Sequence, residues 1–135
     1  MTVDSSALVA ILFSEFGHLD LVDRILAADD VRVGAPTLVE TSLVLSGRRR
    51  APAKGEIEGL IQELGVTVVP FGEAEWRLAV DAFTKFGRGR HRAALNFGDC
   101  LAYAIAMSLG DSLLFVGDDF AHTDVTPAYP GTAAR

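Results

Sequence analysis

Four short apolar runs, separated by segments with helical periodicity, are the feature that most constrains the fold of this chain. The runs are residues 1–3, 31–33, 66–69 and 113–116. Apolar strands joined by helices of about ten residues or more are typical of a parallel sheet covered by helices on both faces. Because crossovers between parallel strands are right-handed, we predict an α/β fold, a three-layer α/β/α sandwich with a central, mostly parallel sheet.

Apolar residues at helical spacing, together with capping residues at the ends of these segments, predict six helices between the runs. The polar residues 4–6 suit the start of a helix at Ala7, and two glycines suit C-terminal caps. The first predicted helix begins at Ala7, and the second includes residues 22–26. The third runs from 36 to about 47, and the fourth includes 57–64 and ends before Gly65. The fifth includes 76–83, and the sixth runs from 96 to 109 before Gly110.

Two finer expectations concern the third helix and the end of the chain. The third helix is expected to present Leu38, Val39, Ser42 and Leu45 as its apolar face. A short apolar stretch around Val125 is expected to add an edge strand before a polar tail that contains proline.

Composition indicates one globular domain over residues 1–135. Leu, Ile, Val and Phe supply 42 of the 135 residues, which excludes intrinsic disorder. Cys100 is the only cysteine, so no intramolecular disulfide can form, and no apolar run approaches the roughly 18 to 20 residues of a membrane span. The start of the chain also lacks the pattern of a signal peptide. The sequence therefore predicts a cytoplasmic protein with no membrane partner.

The net charge argues at first against a nucleic-acid partner. Eighteen Asp and Glu against twelve Lys and Arg give −6 at pH 7. The distribution of the charges is more informative than their sum, because five acids follow strand ends or lie in the first turns of predicted helices. They are Asp4, Glu40, Asp99, Asp118 and Asp119.

Strand ends and helix starts share one edge of a parallel α/β sheet, so these five carboxylates are expected to converge there. At about 4 Å, two like unit charges repel by several kcal/mol at an effective dielectric constant near 20. Such a cluster must take up protons or a cation, and oxygen ligands without His or Cys suit Mg²⁺ or Mn²⁺. A divalent ion in an acidic pocket can activate water and offset charge on a phosphate.

Each acid also has a purely structural explanation. Asp4 could cap the first helix, although Ser5 or Ser6 could do so equally well. Thr37-x-x-Glu40 matches a capping box, which is as good an explanation of Glu40 as a catalytic role. Asp99 could favour the positive end of its helix dipole, and Asp118 and Asp119 could be turn residues. Together these explanations require five acids to meet on one rim by coincidence, so we favour the metal site.

Eight of the twelve basic residues lie in two windows. One comprises Arg48, Arg49, Arg50 and Lys54, and the other comprises Lys85, Arg88, Arg90 and Arg92. A solvated helix end and a solvated loop would explain them, but contacts to a phosphate backbone beside the acidic pocket are favoured. In the second window, Arg88, Arg90 and Arg92 are the expected RNA contacts, on a loop that Gly87 and Gly89 are expected to make flexible.

Three segments resemble the PIN-domain ribonucleases of the VapC toxin type. They are residues 3–11, which begin Val-Asp-Ser-Ser; residues 95–104, which contain Asn-Phe-Gly-Asp; and residues 113–120, Leu-Leu-Phe-Val-Gly-Asp-Asp-Phe. The resemblance implies an endoribonuclease that depends on Mg²⁺ or Mn²⁺ and is the toxin of a type II toxin-antitoxin pair. It also implies a homodimer held inactive by a VapB-type antitoxin.

By position, the same resemblance implies a metal site at Asp4 and Asp99, with Glu40 completing the core acidic set. The fourth acid stays open between Asp118 and Asp119. Transfer RNA and ribosomal RNA are substrates in this group, and the motifs do not distinguish them.

Two other classes of protein remain to be weighed. A receiver-like signalling domain also has an acidic pocket, but it needs a lysine after a late strand, and neither Lys54 nor Lys85 follows a strand. A catalytically inactive PIN-like module that only binds a partner is the second alternative. An intact set of acids argues against it.

Overall fold

A four-stranded parallel sheet forms the centre of the computed structural model, which describes residues 1–128. Its strands are β1 Thr2–Val3, β2 Arg32–Gly34, β3 Thr67–Val69 and β4 Leu113–Leu114. Their order is β3-β2-β1-β4, and each neighbouring pair is parallel. In register, Thr2 lies opposite Arg32 on one side and Leu113 on the other. The predicted α/β fold with a parallel sheet is confirmed.

Six α-helices and a short 3-10 helix connect and follow the strands within residues 1–128. They are α1 Ser5–Leu12, α2 His18–Ala27, α3 Ala35–Arg49, α4 Lys54–Leu64, α5 Glu73–Phe86, α6 Phe97–Leu109 and the 3-10 helix Asp119–His122. Gly65 and Gly110 end α4 and α6 in the left-handed conformation, as predicted. Between residues 1 and 128, no helix has the length and apolar character needed to cross a membrane.

Apolar side chains cover both faces of the sheet at β1 and β4, which are fully buried, whereas the edge strand β3 exposes Thr67 and Val68. Leu114 packs with Val3 and Leu8 in one cluster, and its neighbour Leu113 packs with Phe115 in another. Successive strand residues point to opposite faces, so the two leucines of β4 each need an apolar environment of their own. The second cluster is built mainly by α5 and α6.

The expected apolar face of α3 is partly wrong. Thr37, Thr41 and Leu45 are the buried residues of this helix, whereas Val39 is 59% exposed. The hydroxyl of Thr41 donates a hydrogen bond of 2.8 Å to the carbonyl oxygen of Thr37, so this buried polar group is satisfied within the helix. Hydrophobicity therefore misplaced the face, because two threonines take the interior positions.

The end of the described chain forms one bridge rather than the expected edge strand. Pro127 pairs with Leu113 in parallel, and the Leu113 N–H donates to the carbonyl oxygen of Thr126 at 2.8 Å. The Ala128 N–H returns a hydrogen bond of 2.8 Å to the Leu113 carbonyl oxygen, so both hydrogen bonds of this bridge come from the residues on either side of Pro127. Val125 is buried beside it. Most of the predicted polar tail lies outside the described residues.

Gly34 provides a test of the packing between the end of β2 and helix α6. A Cβ atom at Gly34 would lie 2.8 Å from Cγ1 of Ile105. We expect Gly34→Ala to lower the free energy of unfolding by about 1–3 kcal/mol. The matched control is Gly47→Ala in α3, where a Cβ has open space and should raise the free energy of unfolding by about 0.5–1 kcal/mol. Urea denaturation measures both, and equal stability of the two variants would contradict this packing.

Candidate acidic active site

Four acids from four separate segments meet at the carboxyl edge of the sheet. Asp4 follows β1, Glu40 lies in the second turn of α3, Asp99 lies in the first turn of α6, and Asp119 begins the 3-10 helix after β4. The negative charges of the other three all act on Asp99 and raise its pKa. Asp118 and Asp119 are both exposed, but Asp118 is not among the charges that raise it. The structure thus brings four of the five predicted acids together.

Asp4 combines a capping role with a free oxygen. Its side chain is the N-terminal cap of α1, so this helix begins at Ser5 rather than at Ala7. Oδ2 accepts hydrogen bonds from the Ser6 N–H at 3.0 Å and from the Ser6 hydroxyl at 2.6 Å. Oδ1 is buried and has no hydrogen-bond partner within residues 1–128. The structural explanation of Asp4 is therefore correct for one oxygen and leaves the other available.

Glu40 does not form the predicted capping box. Helix α3 begins at Ala35 with Gly34 as its cap, so Thr37 and Glu40 both lie inside the helix. Oε1 of Glu40 is buried and lacks a hydrogen-bond partner in the described part of the chain. Its carboxylate lies directly against Gly98, and a Cβ at that position would collide with it. A larger residue at position 98 would therefore displace this carboxylate from its present position.

Asp99 is held by hydrogen bonds at the start of its own helix, α6. The Asn96 N–H donates to Oδ2 of Asp99 at 3.0 Å, and the Asp99 N–H donates to Oδ1 of Asn96 at 2.8 Å. This reciprocal pair is a capping box, which fixes the orientation of the carboxylate at the first turn of α6. The structural role expected from the helix dipole is thus present, and it aims the acid at the pocket.

Burial and mutual repulsion make two of these acids hard to ionise. Burial is the main cause that raises the pKa of Asp4 to about 6, with a smaller contribution from the charge of Glu40. Hydrogen bonds from Ser6 oppose this rise. Burial likewise raises the pKa of Asp99 to about 7, with further contributions from Asp4, Asp119 and Glu40. Near neutral pH the pocket therefore favours a proton or a cation.

The donor chemistry of the pocket fits a hard divalent cation. The two buried, unpaired oxygens, Asp4 Oδ1 and Glu40 Oε1, are carboxylate oxygens, the ligand type that Mg²⁺ and Mn²⁺ prefer. Within residues 1–128, no three His, Cys, Asp or Glu side chains are already arranged closely enough to hold a metal ion. A cation would therefore have to draw the carboxylates together as it neutralises them.

The second basic window forms a loop with several hydrogen bonds of its own. The Arg88 N–H donates to the Leu95 carbonyl oxygen at 3.0 Å, and the Leu95 N–H donates to the Phe86 carbonyl oxygen at 3.0 Å. The His91 ring packs edge-on against Phe86 at 5.2 Å, and its Nδ1 accepts the Ala93 N–H at 3.0 Å. The loop is therefore fixed just before the helix that carries Asp99.

The first basic window is engaged within the protein. The guanidinium of Arg48 lies 4.6 Å above the ring of Phe13 and 3.7 Å from the carboxylate of Glu15. Arg49 also lies over Phe13 and forms a bidentate ion pair with Glu56 at 3.0 Å. Arg88, Arg90 and Arg92 are also exposed, and Arg90 lies 5.6 Å from the ring centroid of Phe83, but none of the three pairs with a carboxylate within residues 1–128. The loop therefore carries positive charge that is not already paired.

An apolar groove that sequence analysis missed runs beside the acids. It measures about 880 Å³ and includes Glu40 and Gly98 in its walls. The other lining residues come from α3, α5, α6 and neighbouring turns: Ala35, Pro36, Val39, Leu43, Val44, Phe71, Trp76, Ala79, Val80, Phe97 and Leu101. Phe97 is 79% exposed and Leu43 is 69% exposed. The sequence did contain a sign of this groove. Helix α3 has apolar residues on more than one face, and packing against the core requires only one apolar face.

The sequence also matches the profile of a known domain family. The profile of the PIN domain matches residues 1–125, which is most of the chain. The chain therefore belongs to the PIN domain family.

Curated relatives specify the branch of this family. Ribonuclease VapC36 of Mycobacterium tuberculosis is 42% identical over 139 aligned residues, which cover 98% of this chain and 100% of that protein. Ribonuclease VapC28 of the same organism is 41% identical over 129 residues, with coverage of 95% and 97%. The chain is accordingly a VapC-type PIN protein and an enzyme of the nuclease class.

A solved structure independently supports the fold. The crystal structure of Mycobacterium tuberculosis VapC20, a toxin that cleaves the sarcin-ricin loop, superposes with a TM-score of 0.67. The superposition covers 93% of this chain and 98% of that chain at 17% identity, so it shows a shared architecture.

The raised pKa of Asp99 predicts how stability depends on pH in the absence of metal. Between its ordinary value of 3.8 and about 7, the folded state binds more protons at this site than the unfolded state. The free energy of unfolding therefore falls as the pH rises through this window. Asp99→Asn removes the charge. In EDTA, the free energy of unfolding of the variant should therefore exceed that of the parent, by a margin that grows from pH 4 to pH 8. Urea denaturation at several pH values measures the difference.

Asp111→Asn is the matched control, because this acid is stabilised in its charged form. Burial raises the pKa of Asp111, but hydrogen bonds from Arg32 and Thr2 outweigh that effect and lower it. Arg32 Nη2 lies 2.7 Å from its carboxylate. This variant should lose stability at pH 8. An Asp99→Asn variant that is also less stable than the parent at pH 8 would contradict the assigned repulsion.

Proposed function

We propose that this chain is a divalent-metal-dependent endoribonuclease and the toxin of a VapBC-type pair. The observation that carries the proposal is the meeting of four carboxylates, two with buried and unpaired oxygens, at the carboxyl edge of the sheet. Such an arrangement costs stability unless it binds a cation, and it resembles a site kept for chemistry rather than for folding. The ribonuclease names of the relatives give the substrate class.

In this proposal Asp4 and Asp99 hold Mg²⁺ or Mn²⁺, and Glu40 and Asp119 complete the acidic set. When bound, such an ion lowers the pKa of water and offsets negative charge on a phosphate. Hydrolysis joins the water oxygen to phosphorus in line with the bond that breaks, and the leaving oxygen takes up a proton. Glu40, whose Oε1 lacks a partner within the described residues, is available to accept the proton of the attacking water.

Asp119 is the proposed fourth acid, in preference to Asp118. The charge of Asp119 acts on Asp99, and the 3-10 helix that it begins is anchored by the buried ring of Phe120. Phe120 packs against Phe115 with ring centroids 5.2 Å apart. This contact fixes the segment that carries Asp119 just beyond β4.

RNA is proposed to bind along the loop that precedes the acids. Arg88, Arg90 and Arg92 contact the phosphate backbone, since their side chains are exposed on an ordered loop that leads into α6. Transfer RNA and ribosomal RNA are both open as substrates. A cytoplasmic location belongs to this proposal, because that is where these RNAs occur.

Protein partners are also part of the proposal. We expect a homodimer and a VapB-type antitoxin, because a toxin must be silenced and the apolar groove offers a surface for protein contact. Exposed apolar patches of this kind mark sites of protein interaction. The groove includes Glu40, so a partner seated there would also cover an acid of the site.

Cleavage of RNA tests the proposal. Purified protein should cut RNA in Mn²⁺ and should be inactive in EDTA. Asp99→Asn and Asp119→Asn should each lower kcat by about 100-fold or more, since each removes charge from the pocket. The matched control is Asp118→Asn, which removes a neighbouring exposed charge and should keep most of the activity.

The possible results separate the alternatives. A folded wild-type protein that does not cleave RNA in Mn²⁺ would favour the inactive partner-binding module. Full activity in a folded Asp99→Asn variant would overturn the assigned site. Loss of activity in Asp118→Asn, with retention in Asp119→Asn, would reverse the choice of the fourth acid and leave the nuclease proposal intact.

Replacement of Arg90 tests the contact with RNA. Arg90→Ala should raise KM for RNA several-fold with little change in kcat, and it should flatten the dependence of KM on salt, because a phosphate contact is lost. Arg77→Ala on α5 is the control, since its guanidinium is already paired with Glu73 at 2.6 Å. Unchanged KM and salt dependence in Arg90→Ala would show that this arginine does not contact phosphate.

A further inference from the structure

One hydroxyl group connects two of the segments that form the acidic site. The Oγ of Ser6 donates a hydrogen bond of 2.6 Å to Oδ2 of Asp4. The same oxygen accepts a hydrogen bond of 3.0 Å from the backbone N–H of Val116. Val116 lies beyond the end of β4, on the segment that leads to Asp119. Ser6 therefore links the acid after β1 to the stretch of chain before another acid.

The hydrogen bonds of Ser6 decide which oxygen of Asp4 is available. Oδ2 receives both the N–H and the hydroxyl of Ser6, so the carboxylate is restrained by two donors on one side. The Asp4 N–H donates to the Leu114 carbonyl oxygen at 2.9 Å and fixes the backbone beside it. With backbone and Oδ2 both held, Oδ1 is left buried without a partner among the described residues.

Helix capping alone does not explain this hydroxyl. Asp4 is the N-terminal cap of α1, and the backbone N–H of Ser6 already provides the capping hydrogen bond. A side chain without a hydroxyl at position 6 would keep that cap. What it would lose is the second donor to Oδ2 and the acceptor for the Val116 N–H.

We propose that Ser6 is a positioning residue, which orients Asp4 for cation binding and sets the distance from β1 to the segment that precedes Asp119. The proposal rests on the proposed function, since it assigns Asp4 to the cation. Residues that hold a metal ligand in place typically change metal affinity or activity by roughly 10- to 100-fold when they are replaced. Ser6 acts through Asp4 and does not itself contact substrate.

Mn²⁺ binding to the full chain, measured by isothermal titration calorimetry, tests this role. Ser6→Ala should weaken Mn²⁺ binding roughly tenfold and lower kcat for RNA cleavage, with KM for RNA unchanged. Ser6→Thr keeps a hydroxyl at the same position and should restore Mn²⁺ affinity to within about twofold of wild type. Ser5→Ala, beside it on α1, should bind Mn²⁺ like wild type.

Thr2→Val controls for a general loss of stability. The hydroxyl of Thr2 donates to Oδ2 of Asp111 at 2.9 Å, at the other end of β1 from Asp4. Thr2→Val removes a comparable hydrogen bond that lies outside the acidic site. Thermal unfolding is expected to show similar destabilisation in Thr2→Val and Ser6→Ala, but only Ser6→Ala should lose Mn²⁺ affinity.

The outcomes distinguish a failure of the role of Ser6 from a failure of the proposed nuclease function. If wild type binds Mn²⁺ and cleaves RNA while Ser6→Ala binds Mn²⁺ equally well, the role of Ser6 is overturned and the nuclease site stands. Equal loss of Mn²⁺ affinity in Thr2→Val would likewise overturn it, because the effect would then come from stability. If wild type neither binds Mn²⁺ nor cleaves RNA, the proposed function itself fails.

Discussion

Repulsion between partly buried carboxylates is the constraint on which the carboxyl edge of this fold depends. The charges of Asp4, Glu40 and Asp119 all act on Asp99, and burial removes the water that would otherwise screen them. Two of the acids are held by local structure of their own. Asp4 caps α1, and Asp99 forms a capping box at the start of α6. The fold thus keeps in place a cluster that would otherwise separate.

Helix α6 supplies the rigidity that this cluster requires. Seven of its residues are buried, and it packs extensively against α5 and against the sheet. Gly98, next to Asp99, leaves room for the carboxylate of Glu40 from α3. Because the helix cannot shift without opening a large apolar core, the backbone positions from which these acids reach the pocket are set by hydrophobic packing. Stability and function are therefore linked through a helix that is mostly apolar.

Several features could be predicted from sequence, and others could not, for identifiable reasons. Strands β1 and β4 were predictable because both of their faces are buried. Strand β3 was predictable as a short apolar run ended by Pro70, although it is mostly exposed, and the glycine caps were predictable because they are local. Val39 was misassigned to the core because Thr37 and Thr41 occupy the interior positions of α3. The Thr37–Glu40 capping box was wrong because the helix begins earlier, at Ala35. The net charge was a poor guide because it does not show that Arg88, Arg90 and Arg92 lie together on one exposed loop.

The order of strands and helices, the parallel sheet and the edge at which its acids lie could all be predicted from local patterns. These patterns are the spacing of apolar residues and the residues that cap helices, and they act over a few positions in the chain. The three-dimensional packing was needed to show which oxygens of Asp4 and Glu40 stay unpaired, that Asp119 rather than Asp118 acts on Asp99, and that Ser6 joins two segments. Those outcomes depend on contacts between residues distant in sequence, and no local pattern records them.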